Sequence, residues 1–206
     1  MRKPIPTILE TKQLLPFSYL GLDKITVPVT AGDFEAAVID IKLSKVVGFD
    51  TESKPVFEKG AVNDGPHIVQ FSSESRAYIF QLNNPDSHNP LLYLLAAEDI
   101  KKIGFDLASD RKLLLKKFGV SPRGFMDLCP VFKRKGYRST VGIRAAVAIV
   151  FNEQFHKSKH VTMSNWGSTI LSSNQLLYAA NDAFAALRVY LKLSSDSEIS
   201  TLANKA

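Results

Sequence analysis

The sequence predicts an α/β domain built on a mixed β-sheet, and three patterns carry that expectation. Lys45-Val46-Val47-Gly48-Phe49-Asp50 is an almost unbroken apolar run, as a strand covered on both faces requires. Two shorter strand-like runs, His67 to Ser72 and Arg76 to Leu82, follow it and are joined by a Ser-Ser-Glu-Ser turn that reads as a hairpin. Helical and strand patterns then alternate through Leu128, as in parallel strands linked by crossover helices.

Taken in order, an irregular Pro-containing lead over 1–23 precedes a short strand, Lys24 to Val29. Thr30 with Asp33 has the spacing of a capping box and starts a helix through Ile41. The buried strand and the hairpin come next, and 83–90 reads as a loop. A helix from Pro90 to Ala97, a strand from Ile100 to Phe105, a helix from Leu107 to Phe118 and a strand near Phe125 to Leu128 complete the alternation. The rest is helical: Thr140 to Phe151, a basic loop, and a long helix from Ser172 to Leu193 opened by the Ser172/Gln175 box. The expected organisation is one domain over 24–193, with a flexible Ser- and Asp/Glu-bearing tail over 194–206.

Composition excludes several classes. The chain has 206 residues, 45% of them hydrophobic. A chain of that length buries roughly 70% of the surface its unfolded form exposes, so it needs no disulfide or metal as a prop. Its single cysteine, Cys129, permits neither an intrachain disulfide nor a C-x-x-C site, which points to a reducing compartment, cytoplasmic or, in a eukaryote, nuclear. Pro4, Pro6, Glu10 and Lys12 break any signal-peptide core, so secretion is not expected. The apolar stretch Ile143 to Phe151 is far short of the roughly 20 residues of a membrane span. The net charge of +6 is compatible with a polyanion partner without naming one.

Acidic residues stand in places that resist them. Asp50 and Glu52 end the most apolar strand, and residues i and i+2 project to one face, with Thr51 turned to the other. They are either solvated acids past the strand end or a pair held by a cation. Asp110 falls on the apolar stripe of Leu107, Leu113, Leu114 and Phe118, opposite Lys112 and Lys116. It is either a first-turn acid favoured by the helix dipole or a site residue. Asp182 lies mid-helix among Tyr178, Ala186, Val189 and Leu193, while Asn174, Asn181, Arg188 and Lys192 mark the polar side. A buried mid-helix aspartate needs a partner. Tyr178, one turn earlier, is either a core aromatic or a hydroxyl aimed at the same place. Four carboxylates without a cation in their own motifs suit a hard divalent ion, Mg²⁺ or Mn²⁺ rather than Zn²⁺.

Phe49-Asp50-Thr51-Glu52, Gly104-Phe105-Asp106-Leu107-Ala108-Ser109-Asp110 and Tyr178-Ala179-Ala180-Asn181-Asp182-Ala183 resemble, in order and spacing, the three exonuclease motifs of the DEDD superfamily. The Tyr-x-x-x-Asp form is similar to the tyrosine branch, which includes ribonuclease D and the Werner-syndrome exonuclease domain. Leu177 stands where the histidine branch would have His. The likeness extends to 50–60, to Ser164-Asn165-Trp166 and to Leu171-Ser172, and covers roughly Ile25 to Leu193. Asp106 stands where relatives often have Asn or Gly, and Ser53 where several carry an aromatic.

The resemblance implies an RNase H-like mixed sheet flanked by helices and a metal-dependent 3′–5′ exonuclease releasing nucleoside 5′-monophosphates from DNA or RNA. It implies that Asp50, Glu52 and Asp182 hold one divalent ion. Asp50 reaches a second, with Asp110 nearby or acting through water, and Tyr178 orients the attacking water. Thr51, the basic residues Lys133, Lys135, Arg138, Arg144, Lys157 and Lys159, and Trp166 are expected to meet the strand; Arg134 and Tyr137 lie in the same basic segment. Any one of these cations could equally be a solvated surface charge. His156 and His160 have zinc-like spacing but no third ligand. Asp127 is expected to be structural or to support the site. A catalytically silent nucleic-acid- or protein-binding module of the same fold is the alternative, and it gives no physical reason to keep four repelling acids at apolar positions.

Overall fold

The computed structural model describes residues 2–56, 64–137 and 140–195. In chain order its elements are α1 (Ile8–Thr11), β1 (Leu15–Pro16), β2 (Ile25–Thr26), α2 (Ala31–Ser44), β3 (Val46–Glu52), β4 (Ile68–Ser72), β5 (Ala77–Gln81) and α3 (His88–Ala96). They continue with β6 (Lys101–Gly104), α4 (Leu107–Phe118), β7 (Phe125–Asp127), α5 (Cys129–Arg134), α6 (Ile143–Phe151), β8 (Glu153–Gln154), α7 (Lys159–Thr162) and α8 (Ser173–Ser195). Six strands form one sheet in the order β2-β5-β4-β3-β6-β7. The β3–β4 and β4–β5 pairs are antiparallel, whereas β3–β6, β6–β7 and β2–β5 are parallel. This is the expected mixed sheet, with β3 at its centre.

The period of two along β3 sorts its residues between two layers. Val47 and Phe49 pack with Val69, Phe71 and Phe80 against Phe34, Ala37 and Ile41 of α2, Leu91 and Leu94 of α3, and Leu107 and Leu114 of α4. Ile68, Ile79 and Ile103 pack on the opposite side, with Ala146 and Val147 of α6 and Ala179, Ala186 and Val189 of α8. Each fully buried Ile or Phe stabilises the fold by about 1.5–3 kcal/mol before conformational entropy is counted. Gly48, Asp50 and Glu52 alternate with Val47 and Phe49 and therefore turn toward α8. At Gly48 a β-carbon would stand 1.8 Å from the Ala183 carbonyl oxygen, so only glycine lets helix and strand approach this closely.

Several expectations are adjusted. The strand expected over 24–29 is only Ile25–Thr26, because Leu22–Lys24 is a 3₁₀ turn and Pro28 has no N–H for a ladder. The loop over 83–90 contains a 3₁₀ turn at Pro85–Ser87 and the start of α3. The helix expected from Thr140 begins at Ile143, after Gly142 in extended conformation. Lys133 and Arg134 of the basic segment lie in the last turn of a short helix, α5, where the helix dipole favours cations. The lead belongs to the packed body: Phe17 and Leu20 are buried in the α8-side core, and β1 pairs with β8. Asn181 is not on a solvent face; it is 3% exposed. Its Oδ1 accepts from the Leu20 N–H at 2.7 Å, and its Nδ2 donates to the Leu20 carbonyl at 3.2 Å and the Leu177 carbonyl at 2.8 Å. The tail expected over 194–206 lies outside the described residues from 196 onward.

Candidate active site

The strand end and the long helix meet at one acidic centre. One carboxylate oxygen from each of Asp50, Glu52 and Asp182 lies within 4.8 Å of the others, the only such metal-capable group among the described residues. Asp50 and Glu52 share a face of β3, and the Gly48–Ala183 approach brings the adjacent Asp182 over them. Burial and mutual repulsion both disfavour charge here. Burial, with Asp182 next in effect, pushes the Asp50 carboxyl up to about 8. Burial raises Glu52 well above the usual carboxylate range, Asp50 adding to it, and burial raises Asp182 despite a cation at its side. Three all-oxygen ligands within this span, Asp182 buried and Asp50 and Glu52 half-buried, fit a hard divalent cation.

Asp110 borders the same cleft without joining the tight trio. A cleft of about 290 Å³ is lined by Asp50, Asp106, Asp110, Lys157 and Asp182, among others. The Thr51 hydroxyl donates to Asp110 Oδ1, so Thr51 is engaged in holding the acid of α4 against the tip of β3. Burial raises Asp110 as well, with the Thr51 hydrogen bond acting against the shift. Asp127 fixes the start of that helix. Its Oδ1 accepts from the N–H groups of Asp106 (3.1 Å) and Cys129 (2.8 Å), and its Oδ2 from the N–H of Leu107 (3.1 Å). Asp106 has φ +55°, a left-handed conformation that short polar side chains and glycine tolerate best.

Tyr178 extends along α8 beside Asp182, and its hydroxyl lies 2.8 Å from Thr162 Oγ1. Burial, reinforced by Asp182, holds the phenol above its ordinary value, so it stays protonated at neutral pH. Trp166 is 1% exposed, which corrects its assignment as a strand contact. Its ring packs on Tyr178 at 5.8 Å between centroids, and its indole N–H donates to the Thr162 carbonyl at 3.2 Å, so it braces the tyrosine.

The expected basic contacts separate. Lys157 reaches into the acidic centre and pairs with Asp182 Oδ2 at 2.6 Å. Lys133 is exposed and lines a neighbouring groove that shares Asp106 with the acidic cleft. Lys135 and Arg144 are half-buried, and Lys159 is exposed on α7. Arg138 lies outside the described residues. His156 and His160 are exposed and do not belong to the metal-capable group. Sequence reasoning missed the engagement of Lys157 with Asp182 and of Thr51 with Asp110. Only the proximity of sequence-distant elements reveals either.

The fold and the carboxylate trio define the class: an α/β domain on a mixed sheet, with an acidic centre at the end of its central strand. The family model described as 3′-5′ exonuclease matches residues 26–198, and the chain belongs to that family. It is 34% identical over 161 residues to the mouse "Bifunctional 3'-5' exonuclease/ATP-dependent helicase WRN", covering 76% of this chain and 12% of that protein. It is 29% identical over 149 residues to a "3'-5' exonuclease" of Arabidopsis thaliana, covering 70% and 51%. The chain therefore spans about half the length of the plant relative and a small part of the mouse one. The Nibbler EXO domain of Aedes aegypti shares the fold at TM-score 0.73 and 21% identity, covering 89% of this chain and 92% of that one. Escherichia coli RNase D does so at TM-score 0.73 and 19% identity, covering 86% and 46%.

Proposed function

We propose that this chain hydrolyses the terminal phosphodiester at the 3′ end of a DNA or RNA strand, releasing nucleoside 5′-monophosphates with the help of two divalent ions, Mg²⁺ or Mn²⁺. The observation that carries this reading is the trio of Asp50, Glu52 and Asp182, half-buried to buried, with ligand oxygens within 4.8 Å of one another. In a chain that only bound nucleic acid or a protein, so costly a cluster would have no offsetting role. Asp50, Glu52 and Asp182 would hold one ion, and Asp50 with Asp110 would serve the second. Such ions supply Lewis-acid stabilisation of the phosphate and a water that is easier to deprotonate.

The side chains do the remaining work. Tyr178 keeps its proton and acts as a hydrogen-bonding group that orients the attacking water, with Thr162 and Trp166 fixing the ring. Thr51 fixes Asp110 at the rim of the cleft. Lys133, Lys135, Arg138, Arg144 and Lys159 are proposed to neutralise backbone phosphates without reading sequence, which makes binding salt-sensitive. Residues 24–193 are proposed as the exonuclease domain, with the lead packed onto it and a flexible tail after it. No described helix is long and apolar enough to cross a membrane. A reducing cytoplasmic or nuclear setting is proposed from the lone Cys129. The test is degradation of matched DNA and RNA strands labelled at either end, with Mg²⁺ or Mn²⁺. Asp50→Ala and Asp182→Ala should abolish stepwise loss from the 3′ end; undiminished cleavage in both would overturn the site.

A further inference from the structure

Lys157 is the one cation placed within the acidic centre by the described residues, and its surroundings give it two destinations. Its ammonium is 2.6 Å from Asp182 Oδ2 and 5.2 Å from the centre of the Tyr178 ring. The Lys157 side chain is 32% exposed, whereas that of Asp182 is 2% exposed, so the lysine enters from the open cleft and can leave by it. Its backbone is pinned on both sides. The His156 N–H donates to the Tyr19 hydroxyl at 2.6 Å, and the Ser158 hydroxyl accepts from the Val161 N–H to start α7. Any relocation of the ammonium is therefore a rotation of the four-carbon stem, with no loop movement required.

From this geometry we infer that Lys157 is a built-in counter-ion that holds Asp182 in the metal-free chain, yields it when a divalent ion loads, and then meets a phosphate oxygen of the strand. The inference rests on the proposed metal-dependent function. A single positive charge pairs with only one of the three crowded carboxylates. A divalent ion satisfies more of them at shorter range, but it must first take Asp182 from the lysine. Metal loading is thus an exchange, and the lysine lowers apparent metal affinity by the fraction of molecules in which it occupies the aspartate. The displaced ammonium stays at the rim of the cleft, where a phosphate would enter.

The test measures binding, with activity left aside. Ca²⁺ and Mn²⁺ dissociation constants are measured by calorimetry on the whole chain and on Lys157→Met. Exchange predicts that Lys157→Met binds either ion about tenfold more tightly and melts at lower temperature without metal. Equal or weaker metal binding by Lys157→Met overturns it, because a lysine that merely braces the site would be missed by the metal as well. Should Lys157→Met not fold, the unaltered chain decides. Amine acylation of Lys157, read by peptide mass spectrometry, should rise on adding Ca²⁺; unchanged or reduced labelling refutes the exchange. If the unaltered chain binds neither ion, the proposed function fails with it. If it binds them while Lys157 labelling and the Lys157→Met affinity stay unchanged, only the exchange fails.

Discussion

Gly48→Ala tests whether the approach of α8 to β3 sets the acidic centre. The added β-carbon would lie 1.8 Å from the Ala183 carbonyl oxygen, 2.5 Å from its carbon and 3.3 Å from its Cα. All three are backbone atoms, so no side chain can rotate away. Relieving the contact to 3.0 Å requires helix and strand to part by about 1.2 Å, and core overpacking of this kind typically costs about 1–3 kcal/mol. In a domain of this size that corresponds to a melting point roughly 2–12 °C lower. Asp182 precedes Ala183, and Asp50 is two residues beyond Gly48 on the same face, so the displacement passes directly to the carboxylates. A misplacement near 1 Å costs about 10²-fold in rate. The assay is single-turnover degradation of an end-labelled strand with Mg²⁺, paired with thermal unfolding. Activity within threefold of the unaltered chain, with an unchanged melting point, would refute the claim that this contact fixes the site.

Asp127→Ala removes the acceptor for the N–H groups of Asp106, Leu107 and Cys129 and should cost about 2–4 kcal/mol in urea unfolding; a loss below about 0.5 kcal/mol would show that water replaces the carboxylate. Tyr178→Phe should lower kcat by about 10–10²-fold while leaving metal affinity unchanged; an unaltered kcat would remove the hydroxyl from the mechanism. Lys102 is buried, donates to the Ala97 and Arg123 carbonyls, and is lowered by burial to about 8. Between about pH 8 and 10.5 the unfolded chain holds a proton that the folded chain releases, so this residue's contribution to stability rises with pH there and is flat below. Chemical denaturation of Lys102→Met across pH 7 to 10.5 should lack that rise; an identical slope in both proteins would contradict the shift.

Local signals proved readable where a short segment carried its own reason. α4 is found at Leu107–Phe118, where its apolar stripe places it, and both capping boxes are formed, at Thr30 with Asp33 and at Ser172 with Gln175. The hairpin follows from two short strand-like runs and the Ser-rich turn between them. The acids were legible because charge at an apolar position contradicts its own helix or strand. Elements of four to six residues, α1, α5 and α7, are too short to display a period. The two-residue partners β1 and β8 are defined only by each other. Asn181 looked solvated because its partner, the Leu20 backbone, is 161 residues away. Trp166 looked available to a nucleic acid because sequence shows a large aromatic amid basic residues but not the ring it packs against.

The acids differ in how firmly the fold holds them, and this orders their expected tolerance. Asp50 and Glu52 sit on a strand that pairs with β6 over Val46–Gly48 and with β4 over Gly48–Glu52, and their registers with Gln70 and Ile68 are set by the antiparallel ladder. Asp182 is carried by a 23-residue helix that meets β3 without side-chain spacing at Gly48. Neither element can shift without disturbing a core layer, and interiors packed at this density transmit strain. Asp110 is held less directly, by the Thr51 hydroxyl and by a helix start that Asp127 caps. Substituting Thr51 or Asp127 should therefore loosen Asp110 alone and leave the trio in place. Loss of Gly48 should move Asp182 relative to Asp50. The sheet and long helix fix the primary cluster, while two side-chain contacts leave the fourth acid adjustable.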